Sequence, residues 1–87
     1  MEIDIETTID GIHAYRMGKL VLVFMENMNR PAWSEGYIAK GLPNPVNNFV
    51  AVGYDGNPFS FGDSGIYSDG TTSSGWESFA TSYITAE

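Results

Sequence analysis

The sequence predicts an all-β domain, a small antiparallel β-sandwich of jelly-roll-like architecture with seven or eight short strands. Short apolar segments alternate with turn signals at intervals of roughly ten residues, which is the spacing expected of such a fold. Gly, Ser, Thr, Asn and Pro together supply 34 of the 87 residues, as in a chain with many turns. Charged residues make up only 17% of the chain and aromatic residues 14%, a composition that excludes disorder.

The first part of the chain predicts a leading strand and a hairpin. Residues 2–9 alternate isoleucine with acidic side chains, which is the pattern of a half-buried strand. Asp10-Gly11 is a turn signal. Ile12–Met17 and Leu20–Met25 then form two strands of a hairpin, with Gly18 at the turn because glycine accepts positive φ.

The rest of the chain predicts short strands between turns. Residues 26–35 lack a clear period and contain Pro31, so they predict a loop with at most one helical turn. The further predicted strands are Tyr37–Ala39, Asn48–Tyr54, Phe59–Gly62, Ser64–Ser68 and Trp76–Thr85. Asp55-Gly56 and Asp69-Gly70 mark the clearest turns between them.

The length predicts a single domain over residues 1–87, with residues 1–9 as the leading strand and 10–87 as the sandwich core. A chain of this size removes only roughly 60–65% of its unfolded surface from water when it folds. The chain has no cysteine, so disulfides and thiolate zinc sites are excluded. Self-association is therefore the expected source of additional stability.

One strand suggests where copies of the chain would meet. Residues 20–25 are apolar at both parities, which is typical of a strand that is covered on both faces. We therefore predict an oligomer interface on this strand. Its candidate residues are Leu20, Val21, Leu22, Val23 and Phe24.

Charge excludes several classes of partner. The net charge is −7, and only four basic residues are present. All four lie between residues 16 and 40, so the second half of the chain has no cation. Binding to phosphate backbones or to anionic lipid surfaces needs clustered Lys and Arg. We therefore expect neither a nucleic acid nor a membrane as partner.

The sequence offers little for catalysis or metal binding. His13 is the single histidine, and its place within a strand favours a packed side chain or a subunit contact over a catalytic base. Asp55, Asn57, Asp63 and Asp69 lie in or near turns, where calcium ligands also occur. Because aspartate and asparagine are ordinary turn residues, we favour turns over a calcium site. We expect a protein that is not an enzyme and that uses no cofactor and no metal.

Aromatic residues near predicted loops indicate carbohydrate binding. Sugar sites combine an aromatic face for the apolar side of the ring with polar groups that bind hydroxyls. The candidate ligand-binding residues are Trp33, Tyr37, Tyr54, Asp55, Asn57, Tyr67 and Trp76. The alternative is that these aromatic residues fill a small core or an oligomer interface.

Several short motifs resemble those of one known family. Arg16-Met17-Gly18-Lys19 precedes an apolar strand, Leu42-Pro43 follows a strand, and Ile66-Tyr67-Ser68-Asp69-Gly70-Thr71 forms a hairpin motif before the tryptophan and the final strand. Together they resemble the C-terminal β-sandwich tip domain of bacteriophage tail fibre and baseplate proteins, over roughly residues 10–87. Residues 26–35 are longer and less regular than that family leads us to expect.

The resemblance implies a homotrimeric, non-catalytic tip module that attaches to a host-cell surface through a saccharide. It implies a place in the virion tail, or an extracellular one. Two alternatives remain open at this point: a cell-wall-binding module of a lytic or secreted bacterial protein, and a structural trimerisation cap without a ligand.

Overall fold

The computed structural model describes residues 1–87 as two antiparallel β-sheets. The strands are β1 Glu6–Thr7, β2 Ile12–Met17, β3 Leu20–Arg30, β4 Gly36–Lys40, β5 Phe49–Val52, β6 Pro58–Gly62, β7 Gly65–Ser68 and β8 Gly75–Ile84. One sheet has five strands in the order β1-β4-β7-β6-β5, and the other has three in the order β2-β3-β8. The predicted all-β antiparallel class is confirmed. No helix with the length and hydrophobicity needed to span a membrane is present.

The core lies between the two sheets and is rich in phenylalanine. Phe59 and Phe61 of β6 meet Phe79 of β8 with ring centroids 4.7 and 5.9 Å apart. Phe49 stacks on Phe61 at 4.7 Å. Aromatic contacts of this kind add to the free energy gained from burying apolar area.

Strand β3 divides its apolar side chains between two faces. Val21, Val23 and Met25 are buried in the core, whereas Leu22 points away from it. Val21 and Val23 were predicted at an oligomer interface, but the chain's own core covers them. Only Leu20, Leu22 and Phe24 of the predicted set therefore remain available to a second copy.

The prediction of a loop over residues 26–35 is wrong in its first half. Strand β3 continues to Arg30 and pairs with β8, where Met28 faces Glu77 and Arg30 faces Gly75. A register shift between Met25 and Met28 interrupts the ladder. Such a bulge disturbs the alternation of side chains, so the extension has no strand period in the sequence.

The leading strand predicted over residues 2–9 is also wrong in extent. Only Glu6–Thr7 forms a strand, beside β4, while Glu2 bridges to Tyr15 of β2 in the other sheet. The chain must cross from one sheet to the other between these points, so one continuous ladder cannot form. The inward isoleucines still follow the predicted parity, because Ile3 and Ile5 pack against the core.

Chain segments cover both open sides of the sandwich. On one side, the N-terminal segment joins β2 to β4, as described above. On the other, the amide of Val46 donates to the carbonyl of Ile84 at 3.0 Å, and the amide of Tyr54 donates to that of Ser78 at 2.8 Å. These bonds tie the segments around β5 to β8. The fold is thereby nearly closed, which reduces the unpaired edges that a small sandwich would expose.

Two charged residues are buried. Arg30 packs at the end of β3, where its Nη2 donates to the carbonyl of Glu26. Desolvation lowers the pKa of Arg30, and the nearby carboxylates of Glu26, Asp10 and Glu77 oppose that shift. Glu77 of β8 is the only buried carboxylate, and it organises the turn between β5 and β6.

Candidate functional site

The largest surface depression lies where the β3–β4 connection meets the β7–β8 connection. It has a volume of 670 Å³, and its lining residues are Ala32, Trp33, Ser34, Glu35, Asp69, Gly70, Thr71 and Thr72. A second cavity of 400 Å³ shares residues 32–35 with it and extends to Tyr37. We call the two together the Trp33 cleft. The Trp33 cleft is open to solvent and mostly polar, and Trp33 and Tyr37 supply its aromatic surface.

Trp33 is held in place from three directions. The amide of Thr71 donates to the carbonyl of Trp33 at 3.0 Å, which ties the two connections together. The indole Nε1 donates to Ser68 Oγ at 2.8 Å. The ring stacks on Phe59 with centroids 6.4 Å apart. Trp33 is thus half-buried: it packs on the core and also lines the cleft.

Gly70 allows the two connections to approach backbone to backbone. Its φ is +82°, and a Cβ there would lie 2.7 Å from the amide nitrogen of Glu35. Both facts favour glycine, since it lacks a Cβ and tolerates positive φ. The Asp69-Gly70 pair interpreted as a turn therefore also shapes the cleft.

Carboxylates supply most of the charge in the cleft. The hydroxyl of Tyr67 donates to Glu35 Oε2. This hydrogen bond is the main reason that the pKa of Tyr67 is raised, with further contributions from desolvation and from the charges of Glu35 and Asp69. The Asp69 side chain is exposed and has no hydrogen bond within the protein. Neither carboxylate has an ion-pair partner.

Tyr37 and Tyr67 lie side by side next to the cleft. Their rings meet edge to face at 5.4 Å, and the Lys40 ammonium lies 3.7 Å from the centroid of the Tyr37 ring. Tyr37 lines the smaller part of the cleft. The structure therefore brings together three of the seven predicted ligand-binding residues: Trp33, Tyr37 and Tyr67.

The other four predicted residues lie elsewhere and line none of the cavities. The amide of Asp55 and the side-chain amide of Asn57 both donate to the carboxylate of Glu77, so they build the β5–β6 turn. Tyr54 and Trp76 expose 74% and 54% of their surface. They are free surface aromatics and form no cavity.

Glu35, Asp69 and Thr71 were not predicted as site residues. Each is an ordinary loop residue by itself, and only the pairing of two distant connections places them around Trp33. The one signal in the sequence is that an acidic residue stands close to each of two aromatic residues, Glu35 near Trp33 and Asp69 near Tyr67.

The outer face of the three-stranded sheet is a second candidate surface. Cross-strand pairing aligns Met17 with Leu20 and Leu20 with Ile84, and it aligns Tyr15 with Leu22 in the next row. Met17, Leu22 and Ile84 expose 59%, 36% and 50% of their surface. We call these five side chains, together with Phe24, the outer apolar face.

His13 lies at one end of the outer apolar face. Its Nε2 is 2.9 Å from Glu26 Oε1, and its Nδ1 is 3.8 Å from Glu2 Oε2. Its ring is 5.2 Å from that of Phe24. This is a packed strand histidine with carboxylate neighbours, one of the two arrangements expected from the sequence. No group of three or more metal-ligating side chains is present in the structure.

Searches of protein-family models, of curated proteins and of solved structures found no match to this chain.

Proposed function

We propose that this chain is a non-catalytic attachment module that binds a saccharide of a bacterial cell surface in the Trp33 cleft. The observation that carries the proposal is the cleft itself, where the half-buried Trp33 stands among carboxylate and hydroxyl oxygens. An aromatic wall accepts the apolar face of a sugar ring, and the oxygens accept hydrogen bonds from its hydroxyls. The sequence resemblance to phage tail-fibre and baseplate tips supplies the setting, a virion tail.

We propose further that the module acts as a homotrimer through the outer apolar face. Leu22, Met17 and Ile84 remain substantially exposed in the single chain. Burying each of them fully against another copy would contribute about 1 kcal/mol, since roughly half of each side chain is already covered. Threefold symmetry comes from the sequence resemblance, and the apolar face is the surface that would meet the axis.

One observation favours a structural cap as the second candidate. The indole nitrogen of Trp33 is directed to Ser68, and the ring packs on Phe59. A tryptophan with these contacts stabilises the core whether or not a ligand binds. The cap would form the same trimer but bind no sugar, so binding measurements separate the two candidates.

The assembly is tested by light scattering on a sizing column. We expect a mass near three times 9.5 kDa. Leu22→Glu should convert the trimer to a monomer that still unfolds cooperatively. Val50→Glu is the matched control, because Val50 is an exposed apolar residue of the other sheet. A wild-type monomer would refute the trimer and favour the monomeric cell-wall-binding module.

Binding is tested on an array of bacterial surface saccharides, with hits measured by calorimetry. We expect Trp33→Phe to weaken binding by about three- to tenfold, because it retains a ring on Phe59 but removes part of the sugar-facing surface. Trp76→Phe is the control, since Trp76 lies outside the cleft. Asp69→Lys tests the cleft without disturbing the core, because Asp69 is exposed. Absence of any binding by the folded wild type would favour the cap.

A further inference from the structure

The side chains that line the Trp33 cleft carry negative charges and no positive charge. Glu35 and Asp69 both line it, and neither forms an ion pair. One oxygen of Glu35 accepts the hydroxyl of Tyr67, which leaves its second oxygen without a bond to the protein. Asp69 has no side-chain hydrogen bond at all. The cleft therefore offers carboxylate oxygens without a cation.

No basic side chain of the protein lines the larger part of the cleft. The Lys40 ammonium lies on the ring of Tyr37, which lines the smaller part of the cleft. Arg16 and Lys19 lie at the β2–β3 hairpin of the other sheet. Arg30 is buried, and the nearby carboxylates of Glu26, Asp10 and Glu77 favour its charged form. The chain as a whole carries a net charge of −7.

A sugar that fills the cleft would cover part of the exposed Glu35 and Asp69 carboxylates and displace some of their water. Loss of that hydration costs free energy unless the ligand replaces it with strong donors. A hydroxyl group replaces it with neutral hydrogen bonds. An ammonium group replaces it with charge-assisted bonds, which are roughly twice as strong, and it can also approach the face of the indole. A ligand carboxylate or phosphate would add repulsion.

We propose that the Trp33 cleft selects a saccharide that carries a free, protonated amine and discriminates against acidic saccharides. This inference rests on the proposed saccharide binding and adds the chemical class of the ligand. Trp33 would hold the ring, and Glu35 and Asp69 would hold the amine.

The test compares three probes of similar length by calorimetry at mildly acidic pH. They are an oligosaccharide of glucosamine, the N-acetylated oligosaccharide with the same backbone, and an oligomer of galacturonate. We expect the glucosamine oligomer to bind most tightly, and we expect added salt to weaken it. Glu35→Gln and Asp69→Asn should each reduce its affinity by about two- to fivefold and leave the N-acetylated oligomer little changed. Asp4→Asn is the control, since it removes one charge from outside the cleft.

The outcomes separate this inference from the proposed function. Equal binding of the amine and its N-acetylated form, both lost in Trp33→Ala that remains folded, would overturn the charge selection and leave saccharide binding intact. Preferential binding of galacturonate would do the same. Failure of the glucosamine oligomer to bind overturns the inference. If the array of bacterial saccharides also gives no hit, the proposed function falls with it.

Discussion

Replacement of the buried carboxylate Glu77 is the sharpest test of how the fold is held together. Glu77 is 1% exposed. It accepts hydrogen bonds from the amide of Asp55 at 3.1 Å, from the side-chain amide of Asn57 at 2.7 Å and from the amide of Ser78 at 3.0 Å. It also packs against Gly53, where a Cβ would overlap the carboxylate. One side chain therefore anchors the β5–β6 turn to β8.

Glu77→Ala leaves three donors without their acceptor. A hydrogen bond to a charged group is worth about 1.5–3 kcal/mol, but the donors of the exposed turn regain water. The variant also removes a negative charge near the buried Arg30. We therefore expect a loss of about 3–5 kcal/mol, the upper range for point mutations, which includes those that break a buried hydrogen-bond network. For a domain of this size, that corresponds to a fall in Tm of roughly 12 °C or more.

Thermal unfolding followed by circular dichroism measures the effect. Glu77→Gln keeps one acceptor oxygen and should lose about half as much stability. Glu6→Ala is the matched control, because Glu6 is exposed on β1, and such surface changes stay within about 0.5 kcal/mol. If Glu77→Ala unfolds at the same temperature as Glu6→Ala, the carboxylate does not hold the turn and the reasoning fails.

Three further predictions concern turns and pH. Ser64→Gly should raise the free energy of unfolding by about 1 kcal/mol in urea titrations, because Asp63 and Ser64 have φ values of 50° and 60°, where only glycine is free of strain; an unchanged midpoint would contradict this. Gly11→Ala should lower the free energy of unfolding more than Gly18→Ala does. Both glycines have positive φ, but only at Gly11 would a Cβ also lie 2.7 Å from Nη2 of the buried Arg30. Equal losses of stability would show that the Arg30 side chain moves aside without cost. The pKa of Tyr83 is raised to about 12, first by burial and then by Glu87, so the fold favours its neutral form. Its contribution to stability is complete below pH 10 and is lost as pH rises through about 12. Alkaline unfolding monitored by phenolate absorbance should show this loss in the wild type and not in Tyr83→Phe.

The fold class and most strands follow from local pattern. The β2–β3 hairpin is an example: Gly18 has a φ of +60°, and the alternation of Val21 and Val23 with Leu22 gives one buried face. The apolar excess of this strand also indicated a second apolar face. Side-chain period and turn chemistry are properties of neighbouring residues, so they can be read without knowing the tertiary contacts.

The length of β3 depends on a tertiary contact, its pairing with β8. Glu26, Asn27 and Asn29 are polar and exposed, Arg30 is buried, and Met28 follows a bulge, so no period marks these residues as a strand. They extend because β8 runs beside them and supplies their hydrogen bonds. The N-terminal segment shows the converse. Its regular alternation indicated one strand, but the segment pairs with β2 at Glu2 and with β4 at Glu6–Thr7, so it forms no single continuous strand.

The candidate site shows the same division. Its aromatic residues could be selected from the sequence by residue type and their position near loops. Which of them share a cavity depended on the packing of Trp33 against Thr71 and of Gly70 against Glu35, contacts between segments far apart in the chain. The sequence by itself determined the all-β class, the turns and the acidic character. Only the tertiary structure decided which loops meet, because the order of the strands in the two sheets sets which connections lie next to each other.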